Sequence, residues 1–467
     1  MTIGRLRAAT PVIVAVALVL VPAPAGLTAS AWTFFAVFAG TITALILEPI
    51  PAAAAGVIGV SIAAALRLVD PSPAESARWA LSGFGNTTVW LIFAAFVFAL
   101  GYEKSGLGRR LALALIRAFG RRPLGLGYAV AIADLVLAPF TPSNTARSAG
   151  TIFPVIRQVP ALLARRDPEA AHRLGGYLMW TAFAVTCVTS SMFLTALAPN
   201  LLAAEVVKKT VGVTLGWTVW AAGFWPVGLL LVALIPLASY ALFRPGDVAG
   251  AGVTSWAASE LRAMGPVGRR EIGMALLAIA ALTGWIAGRQ VLDATTVALL
   301  VVSVMVLTRI VTWDDILAHR SAWNVLAWFA TLVTLADGLN RVGFVAWLAR
   351  GATAPLTTLP PLGAALVLLA LFFAVHYLFA SLTAHVTAVL PVVLAAGAAV
   401  PGIDPERFAL VLCYALGLMG VISPYATGPA PVFYGSGYLS RRQFWTYGLV
   451  FGAVYLVAVL GLAFLRL

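Results

Sequence analysis

Long apolar stretches recur along the whole chain, centred on residues 31–47, 51–68, 87–102, 124–141, 177–203, 216–243, 273–309, 323–338, 361–400, 407–423 and 443–466. Bilayer hydrocarbon is about 30 Å thick and a helix rises about 1.5 Å per residue, so about 20 apolar residues make one span. The pattern predicts an all-α polytopic membrane protein. Composition agrees: 61% of residues are hydrophobic and 10% charged, against about 45–50% and about 25% in soluble chains. A soluble enzyme is excluded. Cys187 and Cys413 each lie inside an apolar run, which offers neither a disulfide framework nor a thiolate metal cluster.

The formal net charge is +13. In a soluble chain that excess would suggest nucleic acid, but the basic residues here gather in short connections between apolar runs. Arg109, Arg110, Arg117, Arg121 and Arg122 form one cluster, Arg157, Arg165, Arg166 and Arg173 a second, and Arg262, Arg269 and Arg270 a third. This is the positive-inside pattern of membrane topology. No basic stretch interleaved with aromatics lies outside the apolar runs, so a nucleic-acid partner is not expected. Residues 1–27 have the charge and apolar stretch of a secretory signal, but the spans that follow favour a retained short first helix.

Two runs, 124–163 and 361–400, carry a polar cluster in mid-stretch, and the chain compared with itself makes these breaks informative. Gly101 and Gly106 recur as Gly338 and Gly343, Ser143 recurs as Ser381, and Thr195 has a looser counterpart in Thr427, all at nearly one offset of about half the chain. Each match alone is weak. Together they argue for two homologous halves, residues 1–242 and 273–467, joined by an Arg-bearing linker over 243–272. Internal duplication with interrupted helices is the signature of secondary transporters, whose broken segments meet near the midplane to form the site.

In hydrocarbon a non-helical stretch must be buried in protein or line a cavity. Pro139 and Pro142 remove backbone donors, while Ser143, Asn144 and Thr145 supply hydroxyls and an amide and favour a helix start. A helix beginning there would aim free N–H groups and its positive dipole end at the break, a seat for a carboxylate. The second half places Ser381, Leu382 and Thr383 at the matching position. Pro199 and Asn200 break the run after Thr195, and Gly428, Pro429 and Pro431 break it after Thr427. A single such break is commonly structural, with Ser and Thr bonding back to their own helix. Four that pair by one internal offset point to binding.

Arg147 lies just beyond Thr145, and an arginine at mid-membrane costs about 2.5–3.5 kcal/mol on insertion scales. Its compensation comes from Asp134 in the preceding run or from a substrate carboxylate. His385 stands after Thr383 as Arg147 does after Thr145, and could donate to an anion, carry a proton or simply pack. His376 has no special weight at this stage, and His172 and His319 read as solvated residues of connections. An intramembrane hydrolase is the rival of another class. Neither intramembrane histidine has the His-Glu-x-x-His context, and Asp134 and Asp337 are not equivalent in the repeat. There is no Gly-x4-Gly-Lys-[Ser/Thr] loop for a nucleotide-driven pump.

The segments PSNTARSAGTIFP (142–154), HRLGGYLM (172–179), SSMFLTALAPN (190–200), HYLFASLTAHVTA (376–388) and SPYATGPAPVFYGSGY (423–438) resemble the divalent anion/sodium symporter superfamily. The resemblance is greatest to its branch of bacterial citrate/succinate and plastid 2-oxoglutarate/malate translocators. It implies two inverted repeats with re-entrant helical hairpins, a scaffold plus an elevator-type transport domain, and a homodimer in a bacterial-type inner membrane. It also implies substrate contacts at Ser143, Asn144, Thr145, Ser381, Leu382, Thr383, Thr427, Gly428 and Pro429, with Arg147 and His385 secondary. A sodium ion, if bound, falls at Ser143, Asn144 and Ala196.

Sodium-coupled members carry Asn where this chain has Leu382, whose side chain offers no oxygen to a hard cation. The expected function is therefore exchange of small di- or tricarboxylates such as malate, succinate, 2-oxoglutarate or citrate, with sodium symport as the alternative. No catalytic residue and no organic cofactor is expected.

Overall fold

A computed structural model describes residues 3–164, 167–245, 252–288, 291–348 and 359–467. The described residues are helical with no strand. In chain order the principal helices are α1 (Ile3–Leu20), α2 (Ala29–Leu47), α3 (Ala52–Ala65), α4 (Pro73–Leu81), α5 (Thr87–Ser105), α6 (Leu107–Phe119), α7 (Pro123–Leu137), α8 (Pro168–Met192), α9 (Ala198–Val211) and α10 (Trp217–Phe243). There follow α11 (Val253–Ala263), α12 (Arg269–Ile286), α13 (Ala294–Leu307), α14 (Trp313–Ala318), α15 (Arg320–Arg341), α16 (Pro361–Val375), α17 (Leu382–Ala398), α18 (Pro405–Leu418), α19 (Ala430–Tyr434) and α20 (Arg441–Arg466). Among the described residues, seven helical segments are long and apolar enough to cross a membrane. The apolar run 273–309 resolves into two helices, α12 and α13, because Asp293 caps α13 by accepting from the Thr295 amide.

The order of elements repeats. α5 answers to α15, and α7 and α16 each begin on a proline and end in a short 3-10 turn, Ala138–Phe140 and His376–Leu378. A polar turn and a new helix follow in both halves. α8 and α18 also open on proline and run into the turns Leu194–Ala196 and Met419–Val421. Each half then closes on a long apolar helix, α10 or α20. The stretch read as a linker contains α11, which packs on α6.

Helices α1, α2, α3, α5, α13 and α15 pack mainly on one another, whereas α8 packs on α7, α10 and α18. α8 is buried on every side from Leu174 to Met192, as an element surrounded by other helices must be. Trp180 sits edge-on to Phe183, Phe444, Tyr447 and Phe451. α9 bridges the two groups, lying against α17 and α18 on one side and α5 and α15 on the other. At one end of the molecule Lys104 pairs with Asp315 at 2.5 Å, Arg109 with Glu260 at 2.8 Å and Arg110 with Glu271 at 2.5 Å. These pairs tie basic clusters from distant parts of the chain to a single face. Glu271 is held below the usual carboxylate range, because the Arg110 hydrogen bond and charge and the Gly268 amide outweigh its burial.

Candidate functional site

The two polar turns start their helices in the same way. Ser143 accepts from the Ala146 amide through its hydroxyl (3.2 Å) and from the Arg147 amide through its carbonyl (2.9 Å). Ser381 does the same for Ala384 (3.4 Å) and His385 (3.1 Å). Helix starts leave their first amides without intrahelical partners. Here those of Asn144 and Thr145, and of Leu382 and Thr383, have no hydrogen-bond partner among the described residues. The first helix opens with π-helical geometry over Thr145–Ile152, a local widening often found at functional sites.

The first turn is fastened to the break of the other half. Asn144 is 5% exposed and its amide Nδ2 donates to Thr427 Oγ1 at 2.9 Å. A Cβ on Gly428 would collide with Thr145 Oγ1, so the absence of a side chain there lets the two segments touch. The carbonyl of Ala426, beside Thr427, is 2.9 Å from His376 Nε2 at the foot of the second turn. Asn144, Thr427, Ala426 and His376 thus form a continuous polar connection between the two hairpins. Sequence reasoning missed His376, because an imidazole bonded to a remote backbone carbonyl leaves no spacing signal.

Ser143, Thr145 and Thr141 line a cavity of about 490 Å³ together with Glu103, Thr151, His319 and Ser321, within the range of about 300–1,000 Å³ usual for ligand sites. His319 is a wall residue rather than a solvated one. It lies just outside the α15 span, and burial lowers its pKa from the ordinary imidazole value against the opposing pull of Glu103. The cavity lies beside the face that carries Lys104, Arg109 and Arg110.

The second turn sits apart from this cavity. Ser381 lines a different one, of about 360 Å³, with Arg7, Glu48, Ala380 and Ala384, while Leu382 and Thr383 are buried. Pro429 is buried and Gly428 exposed. The structure therefore brings together Ser143, Asn144, Thr145, Thr427 and Gly428, and leaves Ser381, Leu382 and Thr383 on a second locus reached along α9 and α17.

Arg147 is fully buried, and its N–H groups are spent within the protein. Nε meets Asp134 at 3.2 Å, and Nη1 donates to the carbonyls of Thr141 (2.9 Å) and Ala196 (2.8 Å). Nη2 faces the hydroxyls of Thr186 (3.2 Å), Thr189 (3.3 Å) and Ser190 (3.0 Å) on α8. Thr189 also donates to Asp134. No N–H is left to aim into the cavity.

His385, its repeat equivalent, is packed by Phe372, His376 and Phe379, and neither ring nitrogen has a hydrogen-bond partner among the described residues. The groups of the first break are held internally except for Asn200 Oδ1, which is buried without a hydrogen-bond partner among the described residues. Thr195 donates to the Pro139 carbonyl at 2.6 Å, and Asn200 donates to the carbonyls of Ser190 and Phe193. Among the described residues there is no group of His, Cys, Asp and Glu able to hold a metal ion.

A polar turn between apolar helices whose hydroxyl-bearing residues line a cavity and which is tied to a distant break in the chain fits transporter architecture. The family described as the sodium:sulfate symporter transmembrane region matches residues 5–466. The chain belongs to that family. It is thus a multi-pass membrane transporter of the divalent anion/sodium symporter superfamily rather than an enzyme.

Family relatives include a citrate/succinate antiporter of Escherichia coli K12, 44% identical over 96% of this chain and 95% of that protein. An L-tartrate/succinate antiporter of the same strain is 44% identical over 97% and 95%. Among solved structures the chain is similar in fold to the YdaH transporter of Alcanivorax borkumensis, with a TM-score of 0.55 and 18% identity over 84% of this chain and 89% of that one. It is also similar to MtrF of Neisseria gonorrhoeae, with a TM-score of 0.54 and 15% identity over 91% and 96%.

Proposed function

We propose that this chain exchanges small di- or tricarboxylates, of the size of succinate, tartrate or citrate, across a bacterial-type inner membrane. The observation that carries the reading at the site is the first tip, where Ser143 and Thr145 line the cavity, the adjoining helix-start amides are unpartnered among the described residues, and Asn144–Thr427 pins the tip to the other half. Helix-start amides favour a carboxylate through direct donation and the dipole. The antiporters 44% identical over nearly the whole chain support the substrate class and the coupling.

The sodium alternative fits the residues poorly. An ion at Ser143, Asn144 and Ala196 would share the Ala196 carbonyl with the Arg147 guanidinium and lie beside a fixed positive charge. Asn144 is turned toward Thr427, and Leu382 supplies no oxygen at the second turn. Arg147 is read as part of the support of the tip rather than as a substrate ligand. Ser381 and Thr383 belong to the site on the reading that the second locus joins the first as the tip-bearing body moves, the elevator motion that the resemblance implies. The homodimer is part of the same proposal.

By the positive-inside rule the face bearing Lys104, Arg109 and Arg110 is cytoplasmic, so the cavity opens inward. Proteoliposomes loaded with unlabelled succinate and offered labelled citrate, with and without sodium, test the coupling. Uptake that requires internal dicarboxylate and ignores sodium is expected; uptake into empty vesicles driven by a sodium gradient would overturn exchange.

A further inference from the structure

The end of α9 remote from the tips is held to the scaffold by polar contacts that the site does not use. Glu205 is 4% exposed, yet no cation pairs with it among the described residues. Its carboxylate accepts from Asn86 Nδ2 at 2.8 Å and from the Thr88 hydroxyl at 3.3 Å. Asn86 is at the same time the N-cap of α5, taking the amides of Thr88 and Val89 on its Oδ1. One turn further along α9, Lys209 Nζ reaches Asp337 of α15 at 3.3 Å, and the Lys209 carbonyl accepts from Asn340 Nδ2 at 3.1 Å.

A buried carboxylate without a counter-charge is costly unless its hydrogen bonds are kept. This one keeps them only in the present register of α9 against α5 and α15. The same helix begins at the first break, where the Ala198 amide donates to the Pro142 carbonyl at 2.6 Å. The contacts lie at the N-terminal end of α5 and the C-terminal end of α15. The cavity touches the opposite ends of both helices, at Glu103 and Ser321.

We infer that Glu205 and Lys209, with Asn86, Thr88, Asp337 and Asn340, form a latch on the outer face that holds the inward-open arrangement and must release in every transport cycle. The inference rests on the exchange reading in that a tip-bearing body must move past α5 and α15. As positioning residues, the latch groups set how readily the carrier turns over and leave substrate affinity alone.

Lys209→Cys and Asp337→Cys introduced together, in a chain whose native Cys187 and Cys413 are buried, can be bridged by a short bis-methanethiosulfonate. Exchange is expected to fall roughly tenfold or more on bridging, while labelled citrate still binds from the cytoplasmic side, and to recover on reduction. Exchange at the unbridged rate after complete cross-linking would overturn the latch. Independently, Glu205→Ala that elutes as a monodisperse protein is expected to change the maximal exchange rate by roughly tenfold or more at unchanged KM, the scale of a lost charge-assisted hydrogen bond. An unchanged rate would remove Glu205 from the device. If the unmodified protein proves to take up citrate on a sodium gradient, the exchange reading fails, and the same cross-link still decides whether the latch must open.

Discussion

Asp134 and Arg147 lie 13 positions apart on different helices, and a mid-membrane arginine has to be compensated. That requirement made the pair legible in the sequence. The three hydroxyls and two carbonyls that complete its shell were not, because Thr186, Thr189 and Ser190 look like ordinary polar residues of a buried helix until α8 is placed against the tip. Removing the guanidinium leaves Asp134 buried and uncompensated, a loss of about 3–5 kcal/mol by the usual cost of breaking a buried pair. Arg147→Ala is therefore expected to lower the thermal unfolding midpoint in detergent sharply. Asp134→Asn combined with Arg147→Met should recover part of the loss, and an unshifted midpoint in the single variant would show that the pair does not brace the tip. His376 teaches the converse lesson: its partner is a backbone carbonyl fifty positions away, which no local pattern announces.

At the level of elements, Pro139, Pro142, Pro199, Pro429 and Pro431 and serine at both turns were enough to find the interruptions, since missing donors and capping hydroxyls act locally. The partners of the interruptions are not local. Ser143–Thr145 docks on Thr427 and Gly428 rather than on its own repeat mate, and the helix at which Ser381–Thr383 stands, α17, packs on α9. Gly428 shows what this docking demands, because even a methyl group there would strike Thr145 Oγ1. Gly428→Ala is expected to cut exchange by about tenfold or more, as misplacement of a positioned group commonly does, with normal expression and membrane insertion. Full activity in that variant would mean that the tip and the opposing break need not touch.

The whole molecule is asymmetric in a way that its duplicated sequence does not announce. Both halves run through the same order of helices, yet the first tip faces a cavity that carries Glu103, His319 and Ser321 beside the basic face while the second faces Arg7 and Glu48. Near-identical order constrains topology, but which cavity each tip faces is decided by long-range packing and leaves no trace in residue spacing. The inward-open assignment makes Ser321, exposed on the cavity wall, a reporter. In Ser321→Cys a charged thiol reagent is expected to react from the cytoplasmic side and to be slowed by succinate. Reaction from the outside alone would reverse the sidedness.

A structure of the protein with succinate bound in a lipid nanodisc is the most direct measurement of where the carboxylate sits. One carboxylate is expected against the Asn144 and Thr145 amides and the Ser143 hydroxyl, with the Asn144–Thr427 bond intact. Density for the anion at a place that touches neither the first tip nor the segment around Thr427 would contradict the account.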